Sequence, residues 1–272
     1  MARDASMAGW TSVSRAASLP ARRDSKSGPA NDSEPLTLAI DIGGTHLKAG
    51  VLSGKGRMVT GPARVVTPHP STPDAVVSAL VELAASIEPF QRISIGFPGV
   101  VRAGGVLTAP NLGTPAWHEF PLARTLSERL GAPARLANDA TVQGLGVIAG
   151  HGLECVITLG TGMGFAVFED GRPGPHMELS QHPVHGGKTY DQYIGNAARR
   201  DAGRKRWNRR VRKAIGCIAT LTDFDVLYIG GGNSRHVTGE LPTNVHLVSN
   251  EAGITGGVRL WDAKLDGVFG GA

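Results

Sequence analysis

Residues 38–52 read LAIDIGGTHLKAGVL, an apolar run that ends on an acid, passes two glycines and a threonine, and turns apolar again. Two buried strands joined by so bare a turn need a reason for the acid and the exposed backbone. Gly43 and Gly44 let peptide N–H groups approach a ligand with no side chain in the way, and Thr45 adds a hydroxyl. A concave array of donors of this kind suits phosphate. Asp41 beside a phosphate would repel it unless a cation lay between them, so Asp41 reads as a magnesium-side ligand, directly or through water. Lys48 is placed to neutralise phosphate or, by strand alternation, to face solvent.

The same pattern recurs near residue 160, where LGTGMG again follows one apolar strand and leads into another. Gly160, Thr161 and Gly162 repeat the chemistry, so each half of the chain carries one phosphate-facing turn. Either turn alone reads as an ordinary hairpin; the pair points to two similar lobes facing one another across a cleft. Strand-length runs at 36–42, 46–52, 92–97, 135–137, 155–159, 164–168, 226–229 and 245–248 alternate with helical patterns at 72–88, 122–130 and about 205–221. The class is α/β with mixed sheets.

Asn138-Asp139 stands at the end of a short strand before a helix. An Asp there is either a helix N-cap or a carboxylate placed to accept a hydroxyl proton during phosphoryl transfer. Gly186-Gly187-Lys188-Thr189 looks like the end of a phosphate loop, but His182 stands where that loop needs its first glycine.

The 272 residues, 41% hydrophobic and 19% charged, suit one large domain or two modest lobes. Two cysteines, Cys155 and Cys217, exclude a cysteine-rich zinc cluster or disulfide framework and fit a reducing compartment, so a cytoplasmic location is expected. No apolar run is long enough to span a bilayer. Residues 1–34, rich in Ser, Ala and Arg, read as a disordered extension. From Arg199 to Lys213 nine basic residues face one acid, Asp201, a local +8 in a chain of net +5, so the rest is mildly acidic. On a helix this segment carries Trp207, Val211, Ala214, Ile215 and Ile218 on one face and Arg206, Arg209, Arg210 and Lys213 on the other. It is either a solvated face or a polyanion track, with Arg209, Arg210, Arg212 and Lys213 the candidate track residues. No nucleic-acid reading motif accompanies it.

In this order, DIGGTHLKAGVL, IGFPGVV, APNLGTPAW, LANDA, TLGTGMGFAVFEDG and YIGGGN resemble the ROK-family sugar kinases, over about residues 36–262. Within that family, ELSQHPVHGGKTYDQYIG and VSNEAGITGGVRLW are most similar to polyphosphate glucokinases and polyphosphate/ATP glucomannokinases. The resemblance implies a two-lobed actin-like ATPase (ribonuclease-H-like) fold with an interlobe cleft, and phosphorylation of glucose or a related hexose, mannose included, by polyphosphate, ATP or both with Mg2+. A catalytically silent sugar-binding or regulatory relative is the alternative. The expected division is 35–138 for one lobe, 139–262 for the other and 263–272 for a tail.

Carried over by resemblance, Asp139 is the catalytic base and Asn138, Asn111 and Glu178 bind sugar hydroxyls, while Gly99 allows close approach. Gly230, Gly231 and Gly232 match the loop near the donor nucleotide. Where many members have a sugar-binding histidine after Glu-x-Gly, this chain has Glu178-Leu179-Ser180-Gln181, so Gln181 or His182 takes that place. The family's cysteine-rich zinc motif is missing, so no structural zinc is expected, and a homodimer follows from the resemblance alone.

Overall fold

A computed structural model describes residues 34–87, 89–249 and 252–269. The reading of residues 1–34 therefore falls, Glu34 apart, outside the described residues.

The opening stretch forms β1 (Thr37–Ile42) and β2 (His46–Leu52), antiparallel, with Asp41 opposite Lys48. β3 (Met58–Val66) extends the sheet beyond β2. Helix α1 (Pro73–Ala85) starts where the Thr-Pro-Asp signal predicts: the Thr72 hydroxyl accepts the Ala75 N–H at 3.3 Å, and Pro73 occupies the first turn. It buries Val76, Val77, Leu80, Leu83 and Ala84. β4 (Arg92–Phe97) returns parallel to β1. A small hairpin of β5 (Val101–Arg102) and β6 (Gly105–Val106), α2 (Thr114–Trp117) and α3 (Leu122–Leu130) follow. Gly131, at φ 69°, closes α3 in the left-handed region. β7 (Ala134–Asn138) lies parallel to β4 and leads directly into α4 (Asp139–Leu145). The sheet order is β3-β2-β1-β4-β7.

The second half repeats this plan. β8 (Leu153–Leu159), β9 (Met163–Glu169) and β10 (Arg172–Pro173) are antiparallel neighbours. β11 (Pro183–His185) and β12 (Lys188–Thr189) form a separate hairpin, followed by α5 (Tyr190–Ile194) and α6 (Asn196–Thr222). β13 (Val226–Gly230) and β14 (Val245–Leu247) then add in parallel, giving β10-β9-β8-β13-β14. The two sheets thus share order and strand direction, and the two Gly/Thr turns occupy equivalent corners. Gly186 and Gly187, at φ 57° and 73°, make the two-residue turn of the β11–β12 hairpin, and α5 opens only after the second strand of that hairpin, with Thr189 as its N-cap.

Helix α6 begins nine residues before the predicted start, and Gly203, at φ 70° and ψ 163°, interrupts it. The predicted core face of Trp207, Val211, Ala214, Ile215 and Ile218 is buried against the second sheet. Cys155 and Cys217 are free, and burial pushes the Cys155 thiol up to about 11, as befits a core residue. No helix among the described residues is long and apolar enough to cross a membrane.

Each sheet has its own apolar core, and α4 packs between them, against β4 and β7 on one side and β8 and β9 on the other. The chain then returns to cover it. α7 (Ala252–Thr255) and the 3-10 turn Gly256–Trp261 lie on α4 and reach β1 and β4. The Ser94 hydroxyl donates to the Gly257 carbonyl at 2.7 Å and accepts the Trp261 indole N–H at 2.9 Å. The Arg135 guanidinium lies 4.5 Å from the centre of the Trp261 ring and pairs with Asp266 at 2.8 Å. The segment expected to be a tail is therefore packed through this point, with Leu265 fully buried.

Gly144 shows how tightly α4 is held, because an added Cβ would come within 3.0 Å of two carbons of the Phe168 ring. In an open helix Gly→Ala gains up to about 1 kcal/mol, whereas overpacking a core costs about 1–3 kcal/mol. Gly144→Ala is therefore expected to lower the melting temperature, by roughly 5 °C at the 2–4 °C per kcal/mol of a chain this size. Thermal unfolding followed by circular dichroism checks the sign.

Candidate active site

A cavity of about 160 Å³ opens where the turn ends of the two sheets meet. Gly43 and Gly44 enter it from β1–β2, and Gly160, Thr161 and Gly162 from β8–β9. Asn138 and Asp139 come from the β7–α4 junction, Gly99 and Asn111 from loops after β4, and His176, Glu178, Ser180 and Asp191 from the chain beyond β10.

The division of labour between Asn138 and Asp139 settles which of them caps the helix. Asn138 is the N-cap: its side-chain oxygen accepts the N–H groups of Ala140 at 2.9 Å and Thr141 at 3.4 Å. Its amide donates to the carbonyls of Gly99 at 3.1 Å and Phe97 at 3.4 Å. The Asn138 side chain is thus committed to holding the β4 loop and the start of α4. Asp139 is released from capping and sits in the first turn, accepting only the Ala140 N–H, at 2.8 Å. Burial pushes its carboxyl up to about 7; the Asp41 carboxylate adds to this, the Ala140 N–H opposes it, and Glu178 adds a smaller push. A carboxyl that changes protonation near neutral pH is matched to proton transfer.

Asp41 stands just outside the cavity wall, and Lys48 pairs with it at 2.8 Å, as their cross-strand register dictates. Lys48 is therefore neither alone beside the phosphate turn nor turned to solvent; it is half-exposed and tied to Asp41. Among the described residues no group of three His, Cys, Asp or Glu side chains is arranged to hold a metal. That chemistry fits Mg2+, which is held by one or two carboxylates together with water and substrate phosphates in place of an all-protein cage. Asp41 is the residue that would hold it from the protein side, with Asp139 close enough to feel the same charge.

Glu178 is the centre of a cluster that motif reading only partly found. Burial alone would raise its carboxyl, but His176, 3.5 Å away, and the Ser180 hydroxyl, which donates to it, bring it below the ordinary value. Glu178 is thus a fixed anionic acceptor in the cavity wall. The Gln181 amide donates to Asp191 at 3.1 Å and to the Ser180 hydroxyl at 3.2 Å, and Asp191 in turn accepts the Met163 N–H at 2.7 Å. Gln181 thus braces the wall, and His182, which is exposed, does not line the cavity. The histidine that reaches Glu178 is His176, two residues before it. Its spacing from Glu178 was the available signal.

Glycine serves different purposes in the wall. At Gly162 a Cβ would strike the Asp191 carboxylate, and at Gly99 it would strike the Thr108 carbonyl, so Gly99 is required by its own loop. Gly160 faces open space. Its carbonyl accepts the Asn196 N–H at 3.0 Å and the Asn233 amide at 2.9 Å, which pins the second turn to α6 and to the loop after β13. Gly231, at φ 81°, packs on the backbone of Leu159, so Gly230, Gly231 and Gly232 lie behind the turn and outside the cavity wall. Thr45, though exposed, is likewise outside that wall. Arg209, Arg210 and Lys213 line a separate hollow, and Arg212 points elsewhere, donating to the Thr238 carbonyl at 3.1 Å.

Comparison with known proteins gives the family and the fold. Residues 37–176 match the ROK family. A polyphosphate glucokinase of Mycobacterium tuberculosis (strain ATCC 25618 / H37Rv) is 28% identical over 236 residues, covering 80% of this chain and 88% of the relative. A glucokinase of Streptomyces coelicolor is 34% identical over 139 residues, covering 47% of this chain and 42% of the relative. The crystal structure of an inorganic polyphosphate/ATP-glucomannokinase from Arthrobacter sp. strain KM superposes with a TM-score of 0.75 at 29% identity, covering 83% of this chain and 97% of that one. The fold is the actin-like α/β fold with mixed sheets.

Because Asp139 binds its proton far more tightly in the folded chain than at the ordinary 3.8, the stability that this proton confers is present at low pH. It is lost as pH rises from the ordinary value through about 7. Asp139→Asn stays neutral throughout, so this variant should melt about 5 °C or more above the parent at pH 8. The gap should narrow steadily toward pH 4. Melting curves across that range check the sign and the window.

Proposed function

The chain belongs to the ROK family, and from that premise we propose that it is a hexose kinase. It forms glucose 6-phosphate, with mannose a second acceptor, from polyphosphate, ATP or both. The observation that carries this reading is the buried Asp139 carboxyl between the two Gly/Thr turns, with its pKa pushed up to about 7. The names of the relatives support the sugar and the donors.

In the proposed reaction the sugar lies against Asn111 and the anionic Glu178, its 6-hydroxyl directed at Asp139. Asp139 accepts the hydroxyl proton as the oxygen attacks the terminal phosphorus in line, and the remaining phosphate chain leaves. The Gly43 N–H is spent on the His46 carbonyl at 3.0 Å, so the peptide N–H groups of Gly44, Thr161 and Gly162 stabilise charge on the transferring group. Mg2+, when bound, supplies neutralisation of the phosphate oxygens near Asp41. Asn138 contributes by fixing Asp139 in place.

The test is an assay of phosphorylated hexose from glucose with ATP and with polyphosphate in parallel. Asp139→Asn should lower kcat by about 10²–10⁴-fold with little change in KM, and turnover near the parent's would remove Asp139 from the role. In the parent, kcat/KM should rise about tenfold per pH unit up to about 7 and then level, since the base must be ionised.

A further inference from the structure

Outside the catalytic cavity, the described residues form an open hollow of about 420 Å³ between α6 and the β11–β12 hairpin. Arg206, Arg209, Arg210 and Lys213 face it from the helix, and His185 and Lys188 from the hairpin. The helical four lie at spacings of three and four, so they share one stripe, whereas Arg212 lies about 120° away from Arg206 at 100° per residue. The Gly186-Gly187 turn sets His185 and Lys188 opposite one another across the ladder. Lys213 Nζ donates to His185 Nδ1 at 2.9 Å. Arg210 donates to the Tyr193 carbonyl at 3.4 Å, with its guanidinium 5.3 Å from the Tyr193 ring centre.

Among the described residues, none of Arg206, Arg209, Arg210 and Lys213 pairs with a carboxylate. Four cations on one stripe repel each other by a few tenths of a kcal/mol per neighbouring pair, and among the described residues no carboxylate offsets this, Arg210 having only the Tyr193 carbonyl and ring. A concave, uncompensated cationic surface is a site for a ligand with several negative charges. Helix α5 stands between this hollow and the catalytic cavity: Asp191 lines the cavity and Tyr193 the hollow. Residues two apart on a helix point to opposite sides, so the two sites are separated by one helix width, about 10 Å. Tyr193 is buried, with His185 at 5.6 Å and Arg210 at 5.3 Å from its ring centre, so it offers no open platform on which a nucleobase would stack.

From this geometry we infer that the hollow is a second anion subsite, which holds a distal segment of an inorganic polyphosphate chain whose reactive end lies between the two Gly/Thr turns. The inference rests on the hexose-kinase reading, and deepens it by giving long polyphosphate a contact that ATP and short oligophosphates do not share. Each cation acts through charge, so removing it weakens binding and lessens its salt dependence without touching the phosphoryl transfer.

The test uses the full chain and the variant R206Q/R209Q/K213Q. All three side chains are exposed, so the fold is left intact, and the melting curve verifies that. Binding of long-chain polyphosphate is measured in the absence of sugar across a salt series, beside kinetics with long polyphosphate, tripolyphosphate and ATP. The expected result is at least tenfold weaker binding of the long chain and a log–log salt slope shallower by about 2, taking about 0.7 per lost contact. KM for long polyphosphate should rise at least tenfold, with kcat unchanged and KM for tripolyphosphate and ATP within twofold. Unchanged long-chain binding in the variant overturns the subsite, as does an equal rise in KM for all donors. An oligonucleotide of equal charge that displaces polyphosphate more tightly than polyphosphate binds would also overturn it. If the parent phosphorylates glucose from ATP and not from polyphosphate, the donor assignment fails and the anchoring role with it. If no donor is used, the kinase reading itself fails, which the binding measurement reports separately.

Discussion

The side chain of Asn138 is the constraint on which the candidate site depends. One amide closes the N-terminus of α4 and at the same time holds the carbonyl of Gly99, so the first sheet, the loop after β4 and the helix between the sheets meet at one residue. An N-cap satisfies backbone donors that burial would otherwise leave without partners. Because Asn138 supplies the cap, the next residue need not, and a carboxyl is left in a buried first turn with one N–H to accept. Its raised pKa is a product of that arrangement: burial first, then the Asp41 carboxylate.

Charge is distributed with the same economy. Carboxylates collect around the cavity, with Asp139, Glu178 and Asp191 in its wall and Asp41 behind the first turn. Each is treated differently: Asp41 is paired with Lys48, Glu178 is held anionic by His176 and Ser180, and Asp191 is braced by Met163 and Gln181. Desolvation raises Asp139 and Asp191, whereas hydrogen bonds win at Glu178. The cations lie one helix away. Under the proposed reading, an acidic cavity for a neutral sugar and a basic hollow for a phosphate chain separate two substrates by electrostatics as well as by shape.

Much of the fold could be read in the chain because two local signals are strong. Glycine turns between apolar runs marked both corners, and their recurrence anticipated two sheets with the same order. β3 escaped because Gly61-Pro62 interrupts it and its residues are largely exposed, which leaves no continuous apolar run. The first turns of α6 were hidden behind Gly203 and a dense run of arginines. In the site, Asp139 and Glu178 were accessible through motifs, but which of residues 138 and 139 caps α4 was not, since both are good caps and only the hydrogen bonds decide. His176 and Ser180 reach Glu178 from two residues on either side, a local spacing, whereas Asp191 gained its place from tertiary packing that local patterns do not encode. The basic stripe was legible by helical period, and linear adjacency alone drew Arg212 into it.

The strap formed by residues 252–261 bears on how the molecule is made. It covers α4 and locks Ser94 of β4 from the far end of the chain, a separation of more than 160 residues between the hydroxyl and the Trp261 indole. During synthesis the first sheet and α4 emerge before this cover, so a nascent chain exposes the apolar flank of the helix that bears Asp139 until residues 252–261 have been added. Such a chain completes the second sheet and the surroundings of its candidate base in the same late step. A copy that lacks residues 252–261 would therefore hold the first sheet and its loops without the cover that fixes α4 and, with it, Asp139.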